Sequence, residues 1–149
     1  MKDLTIVFNY PDEQIMPNKC PQIVLEEIRG QNTLFFVSHS HSDHFTKKIF
    51  ALAKQTKEYI FILSYDVSQR YSMPSNAIIM RPGDRVSLLK ISVEAFDSSD
   101  LGVAYMVYLN NLHIFHSGDL SDWSRKELPP EVNKRVREVY YRELSKLEK

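Results

Sequence analysis

The sequence predicts an α/β fold in a single domain, and three observations support this prediction. Short β-branched and aromatic runs alternate with segments of helical periodicity in the first half of the chain. Four strand-like runs with tight connections follow in the second half, and a long amphipathic segment ends the chain. The length of 149 residues, of which 43% are apolar, suits one globular domain with a buried core.

The elements of the first half follow from apolar runs and their spacing. A proline at position 21 and a glycine at position 30 suit the first turn and the C-terminal cap of a helix. Continuous apolar runs indicate buried strands, and spacings of three and four residues indicate helices. The predicted strands are residues 4–8, 33–37, 59–63 and 77–80, and the predicted helices are residues 21–29, 46–55 and 65–71.

The second half is predicted to form an antiparallel sheet followed by one helix. The strands are expected at residues 86–89, 91–96, 104–109 and 112–115, and Asn110-Asn111 suits a two-residue hairpin turn. Pro129-Pro130 begins a helix with an apolar stripe of Val132, Val136, Val139, Tyr140, Leu144 and Leu147. The stripe needs a surface to cover, and the sequence does not show which segment supplies it.

Composition limits the partners of the protein. The 19 basic and 19 acidic residues cancel, so no overall field attracts nucleic acid or an anionic membrane. The single cysteine cannot form an intramolecular disulfide, and no apolar segment is long enough for a signal peptide or a membrane span. The sequence therefore predicts a cytoplasmic protein without a nucleic-acid or membrane partner.

The segment "FFVSHSHSDHF", residues 35–45, contains three of the five histidines of the chain. His39 and His41 are two positions apart just past a predicted strand, so both imidazoles can reach one ion. Asp43 and His44 lie at the turn into the next predicted helix, where the chain can direct a carboxylate and a third imidazole to a point beside that ion. This nitrogen and oxygen donor set without thiolate suits Zn²⁺, and Fe²⁺ or Mn²⁺ is also compatible with it.

Three motifs carry a resemblance to a known family. "HSHSDH" at residues 39–44 resembles the His-x-His-x-Asp-His signature of the metallo-β-lactamase fold superfamily, and "HSGDL" at residues 116–120 resembles its later Gly-Asp motif. "SSDLGVAY" at residues 98–105 is similar to a Ser-Thr-Asp-x-Gly segment of small bacterial metal-dependent hydrolases, distantly similar to ascorbate-phosphate lactonases. The resemblance covers residues 4–123 and implies an αββα sandwich.

The resemblance also implies a first metal site. His39 and His41 would hold the ion, and the third ligand would come from the segment in which most relatives have a histidine. Asp100 is the best match there, and Asp97 is the alternative. His116 matches no standard ligand and is expected to be a packed strand residue.

A second metal would be held by Asp43 and His44, and Asp119 would bridge the two ions. One or two Zn²⁺ ions per chain are therefore expected. A cation lowers the pKa of a bound water toward neutrality, so the implied reaction is hydrolysis of a small ester, lactone or phosphoester. Asp43 and Asp119 would orient the water, and Trp123 is expected at the mouth of the site.

The sequence departs from the family pattern at several points. It appears shortened at both ends, Asn9 stands where relatives often have aspartate, and no histidine follows His116 to supply a last ligand to the second metal. Three explanations remain open. The chain is a fragment of a longer hydrolase, or a homodimer completes the site, or the chain is a non-catalytic or degenerate metal-binding domain.

Overall fold

The computed structural model describes residues 4–12, 14–15, 26–88 and 90–147. The chain divides into two compact units, residues 1–79 and residues 80–149, and its eight described strands form two four-stranded sheets. Within the described ranges, none of the helices carries an apolar run that could span a lipid bilayer.

The first unit contains a sheet in the order β1-β2-β3-β4, in which β1 pairs parallel with β2 and β2 pairs parallel with β3. Parallel neighbours require crossover connections, which here contain short helices. The strands are β1 Leu4–Phe8, β2 Asn32–Val37, β3 Glu58–Ser64 and β4 Ala77–Met80, and the helices are α1 Lys48–Ala53 and α2 Tyr65–Arg70.

Strand β2 lies at the centre of the core of this unit. Residues 33–37 are all buried, as expected for a strand that is covered on both faces. Phe35 pairs in register with Val7 on β1 and Phe61 on β3, and the rings of Phe35 and Phe61 lie 5.4 Å apart. This strand ends where the histidine segment begins, so the segment starts from a rigid support.

The predicted elements of this unit are confirmed with small shifts at their ends. The predicted helix at residues 46–55 is observed as the shorter α1, and one turn at each of its ends is closed by hydrogen bonds between residues three apart. Of the predicted helix at residues 21–29, residues 26–28 are helical, and residues 21–25 lie outside the described residues. Gly30 has a φ of 74°, which suits the predicted C-terminal cap.

The second unit contains an antiparallel sheet in the order β5-β6-β7-β8. Asn110 has a φ of 51°, in the left-handed region that asparagine tolerates, and lies in the tight turn that connects β7 to β8. The predicted hairpin is therefore confirmed. The elements are β5 Arg85–Leu88, β6 Ile91–Asp97, β7 Val103–Leu109, β8 Leu112–His116 and the helix α3 Pro130–Leu147.

The apolar stripe of α3 is covered by the sheet of its own unit. Val136 and Val139 are buried, and Val139 belongs to a core cluster with Phe96, Ala104 and Leu120. The covering surface that the sequence did not identify is therefore supplied by this sheet. The sequence shows the stripe but not that β6 and β7 present apolar side chains to it.

Helix α3 also buries a carboxylate against β6. The Glu143 side chain is fully buried and accepts hydrogen bonds from Lys146 Nζ at 2.7 Å and from Arg142 Nε at 2.8 Å. The backbone N–H of Asp97 donates to the same carboxylate at 3.3 Å. Burial acts to raise the pKa of Glu143, but these hydrogen bonds together outweigh it and hold the pKa below its ordinary value.

Substitution Glu143→Gln is expected to lower the free energy of unfolding at pH 7 by about 1–3 kcal/mol, because hydrogen bonds to a charged group are lost. A pKa that is lower in the folded state gives stability that is complete above the unfolded pKa. That stability is lost as the pH falls through the folded pKa. The difference in the free energy of unfolding between the wild type and Glu143→Gln should therefore decrease from about pH 4 downward. Urea unfolding at several pH values measures this difference.

The matched control is Glu138→Gln on the same helix. Glu138 is exposed and forms only a 3.7 Å ion pair with Lys134, so its substitution should change stability by less than about 0.5 kcal/mol. A Glu143→Gln deficit that is the same at pH 7 and pH 3 would show that the charge of Glu143 does not stabilise the fold.

Candidate metal centre

The histidine segment follows β2 and is held from the other side by residues just after β1. The backbone N–H of Tyr10 donates to the His44 carbonyl at 2.8 Å, and the N–H of Asp12 donates to the Ser42 carbonyl at 2.8 Å. Within the segment, the Phe45 N–H donates to the His41 carbonyl at 2.8 Å and closes a turn. The backbone of the segment is therefore fixed at both ends.

The structure brings three of the predicted ligands together within the first unit. One ligand atom each of His39, Asp43 and His44 lies within 4.8 Å of the others, a spacing at which they could hold one ion. His39 is fully buried, His44 is partly buried and Asp43 is exposed. His41 lies beside this group, since its ring centroid is 4.7 Å from that of His39.

The side chain of His39 is oriented as expected for a metal ligand. Ser38 Oγ donates to Asn9 Oδ1 at 3.2 Å and lies 3.0 Å from His39 Nδ1. When its hydrogen is directed at Asn9 Oδ1, the hydroxyl can accept the Nδ1–H of His39, and Nε2 then carries the lone pair. Metal-binding histidines almost always donate their other ring N–H in this way, so His39 fits a nitrogen ligand of Zn²⁺, Fe²⁺ or Mn²⁺.

A buried carboxylate that sequence reasoning missed supports the same segment. Asp66, in the first turn of α2, is 3% exposed, and its Oδ2 accepts the backbone N–H of Ser40 at 2.8 Å. Asp66 Oδ1, Ser40 Oγ and Ser64 Oγ are also buried, and they have no hydrogen-bond partner among the residues that the structure describes. An aspartate in the first turn of a helix is common, so the sequence carries no signal for this contact.

Substitution Asp66→Ala is expected to weaken Zn²⁺ binding by about 10–100-fold, as is typical when a residue that orients a metal-binding segment is removed. The Ser40 N–H would lose its acceptor, and the backbone between His39 and His41 would lose a fixed point. Competition with a chromophoric chelator measures the affinity. Asp66→Asn retains an acceptor oxygen and should lose less, and an unchanged affinity in Asp66→Ala would contradict the role of this contact.

The second unit brings together two further predicted ligands. Asp100 and Asp119 line one cavity of about 320 Å³ with Ser121 and Trp123. Ser99 Oγ lies 3.1 Å from the Asp119 carbonyl and 2.7 Å from the Ser121 carbonyl, and it accepts the Ser121 N–H at 3.0 Å. Ser99 therefore connects the turn that carries Asp100 to residues 119–121. Trp123 forms part of the wall of the cavity.

The two remaining candidates of this unit have other surroundings. The Asp97 carboxylate accepts hydrogen bonds from Arg142 at 2.6 Å and from the Ser98 N–H at 2.9 Å. It is therefore engaged by α3. His116 is the last residue of β8 and pairs in register with Tyr105, which matches its expected place on a strand.

The element order and the two sheets define the metallo-β-lactamase fold, and solved structures of such enzymes match this chain over most of its length. A variant of a metallo-β-lactamase from Cronobacter sakazakii covers 97% of the chain at 14% identity with a TM-score of 0.60. A B3 metallo-β-lactamase with an active-site glutamic acid covers 95% at 15% identity, also with a TM-score of 0.60. The metallo-β-lactamase SMB-1, in a complex with mercaptoacetic acid, covers 93% at 17% identity with a TM-score of 0.59.

These likenesses confirm the fold that the motifs predicted. The chain spans only 64%, 64% and 63% of the three matched chains, respectively. No protein-family model matches the sequence, and no curated protein does so either.

Proposed function

We propose that this chain is a metal-dependent hydrolase that uses an activated water on a small ester, lactone or phosphoester. The observation that carries the proposal is the placement of His39, His41 and Asp43 at the end of β2, where the rings of His39 and His41 lie 4.7 Å apart and the ligand atoms of His39 and Asp43 lie within 4.8 Å of each other. Its support is a buried strand on one side and the buried carboxylate of Asp66 on the other. The balanced charge of the chain favours a small molecule over nucleic acid as substrate.

The proposed ligands of the ion on the histidine segment are His39 and His41, whose ring centroids lie 4.7 Å apart. Asp100 and Asp119 line one cavity, whereas the carboxylate of Asp97 is bonded to Arg142. Of the two candidates in the second unit, Asp100 therefore fits the ligand role that the motifs imply better than Asp97. Two imidazoles and carboxylates without thiolate suit Zn²⁺, and the same donors suit Fe²⁺ or Mn²⁺.

A divalent cation bound there would supply Lewis acidity toward a carbonyl or phosphoryl oxygen and an activated water. The protein side chains then have separate tasks. Asp43 is 53% exposed at the tip of the segment, so its carboxylate can reach substrate or water and accept a proton. His39 is held by Ser38, and Trp123 provides an apolar wall at the cavity of the two aspartates.

The test is metal analysis of the purified protein followed by a hydrolysis panel. We expect at least about one transition-metal ion per chain, and turnover of some member of a panel of esters, lactones and phosphoesters. A chelator should abolish this turnover, and Zn²⁺ should restore it. Absence of bound metal would refute the proposal, whereas bound metal without chelator-sensitive turnover would favour a non-catalytic metal-binding domain.

A further inference from the structure

The side chain of Asn9 contacts the histidine segment with both ends of its amide. Its Oδ1 accepts the backbone N–H of Ser38 at 2.9 Å and the hydroxyl of Ser38 at 3.2 Å. A backbone N–H can only donate, so the oxygen of the amide must face Ser38. The Asn9 N–H also donates to the Phe36 carbonyl at 2.7 Å, which fixes the backbone from which the amide extends.

The other end of the amide meets His44. Asn9 Nδ2 lies 2.8 Å from His44 Nδ1, and an amide NH₂ group can only donate. Nδ1 of His44 is therefore the acceptor, and the single proton of the neutral ring lies on Nε2. That Nε2 is 3.5 Å from the carboxylate oxygen Oδ2 of Asp43, an acceptor for the N–H.

This arrangement is the reverse of what a metal-binding histidine requires. A histidine that binds a metal through Nε2 has its proton on Nδ1 and donates it to an acceptor. His39 can meet that condition, because Ser38 Oγ lies 3.0 Å from its Nδ1 and can accept the Nδ1–H. His44 does not, because its Nδ1 faces a donor. The hydrogen-bond network through Asn9 thus fixes the proton of His44 on Nε2, whereas it allows His39 the opposite tautomer.

We propose that Asn9 makes His44 a hydrogen-bond donor instead of a metal ligand, and that the centre consequently binds one ion per chain. The inference rests on the metal dependence proposed above and refines it. His44 then presents its Nε2–H to Asp43 or to an oxygen of the substrate. The second ion that the sequence motif implies has no suitable nitrogen ligand in this segment.

The test combines Zn²⁺ titration calorimetry with nitrogen NMR of the histidine rings. Wild-type protein should bind about one Zn²⁺, and His44→Ala should bind the same number with an affinity within about 3-fold, since no ligand is removed. Asn9→Asp supplies a carboxylate that accepts Nδ1–H, so the stoichiometry should rise from about one to about two. In the double variant of Asn9→Asp with His44→Ala, it should return to about one.

The matched control is Asn111→Asp, which adds the same charge at an exposed turn residue and should leave the stoichiometry at about one. Two Zn²⁺ ions in the wild type with loss of one in His44→Ala would overturn the inference. So would an Asn9→Asp protein that folds, as judged by circular dichroism, and still binds one ion.

The NMR measurement separates this inference from the proposed function. Two-bond hydrogen–nitrogen correlations of the metal-free protein report whether the ring proton of His44 lies on Nε2 or Nδ1. We expect the proton on Nε2 in the wild type and on Nδ1 in Asn9→Asp. A proton on Nδ1 in the wild type would overturn the inference, whereas a protein that binds no Zn²⁺ but shows Nε2–H would refute only the metal-dependent function.

Discussion

Substitution His39→Ala should reduce Zn²⁺ affinity and chelator-sensitive hydrolysis by more than about 100-fold, beyond the roughly 10–100-fold typical for residues that only orient a ligand. His39 is fully buried, its ligand atom lies within 4.8 Å of that of Asp43, and Ser38 Oγ lies where it can accept the Nδ1–H, which leaves the lone pair on Nε2. Calorimetry with Zn²⁺ and initial rates on the best substrate measure the two losses.

The matched control for this prediction is His113→Ala. His113 is an exposed residue of β8 whose ring contacts Tyr108 at 5.0 Å, and its removal should leave Zn²⁺ affinity unchanged. Because His39 is buried, His39→Gln provides a second variant that keeps a polar side chain of similar length. Retention of wild-type Zn²⁺ affinity in either folded His39 variant would show that the ion binds elsewhere.

Most of the fold could be predicted from local patterns because each unit is built from elements with clear periodicity. Strand β2 was expected from its continuous apolar run, and the observed strand adds only Asn32. The hairpin at Asn110 was expected from a residue that tolerates a positive φ. The ends of α1 were less predictable. The chain enters and leaves the helix through turns closed by hydrogen bonds between residues three apart, from Ile49 to Thr46 and from Gln55 to Leu52. Such turns keep nearly the same residue spacing as a helix, so the sequence pattern does not show where the helix itself ends.

In the candidate site, too, the residues close together in the sequence could be predicted, whereas the contacts between distant residues could not. The nearness of His39, Asp43 and His44 follows from their nearness in sequence, so the motif was sufficient to predict it. The contacts that decide how these side chains act join positions that are 35 residues apart in the case of Asn9 and His44. Asp66 and Ser40 are 26 residues apart. Such contacts join segments that are distant in the sequence, so the pattern of either segment alone does not predict them.

The largest stability effect is expected from Phe35→Ala in the centre of β2. Phe35 is fully buried, packs against Phe61 and belongs to the core cluster of the first unit. Removal of a buried phenylalanine ring typically destabilises a protein by about 3–5 kcal/mol, because the lost apolar contacts leave a cavity that collapses only in part. Urea unfolding followed by circular dichroism should show this loss, which is a large part of the roughly 5–15 kcal/mol that stabilises a typical domain.

The same ring supports the histidine segment, because Phe35 lies on β2 four residues before His39, and β2 ends at Val37 just before the first histidine. Because Zn²⁺ is expected to bind only the folded chain, it should raise the unfolding midpoint of both the wild type and Phe35→Ala. Phe115→Ala is the matched control: its ring is 37% exposed and contacts Phe96 at 5.9 Å, so we expect a loss of about 1 kcal/mol. Equal losses of unfolding free energy in the two variants would mean that β2 is not the rigid element that supports the histidine segment.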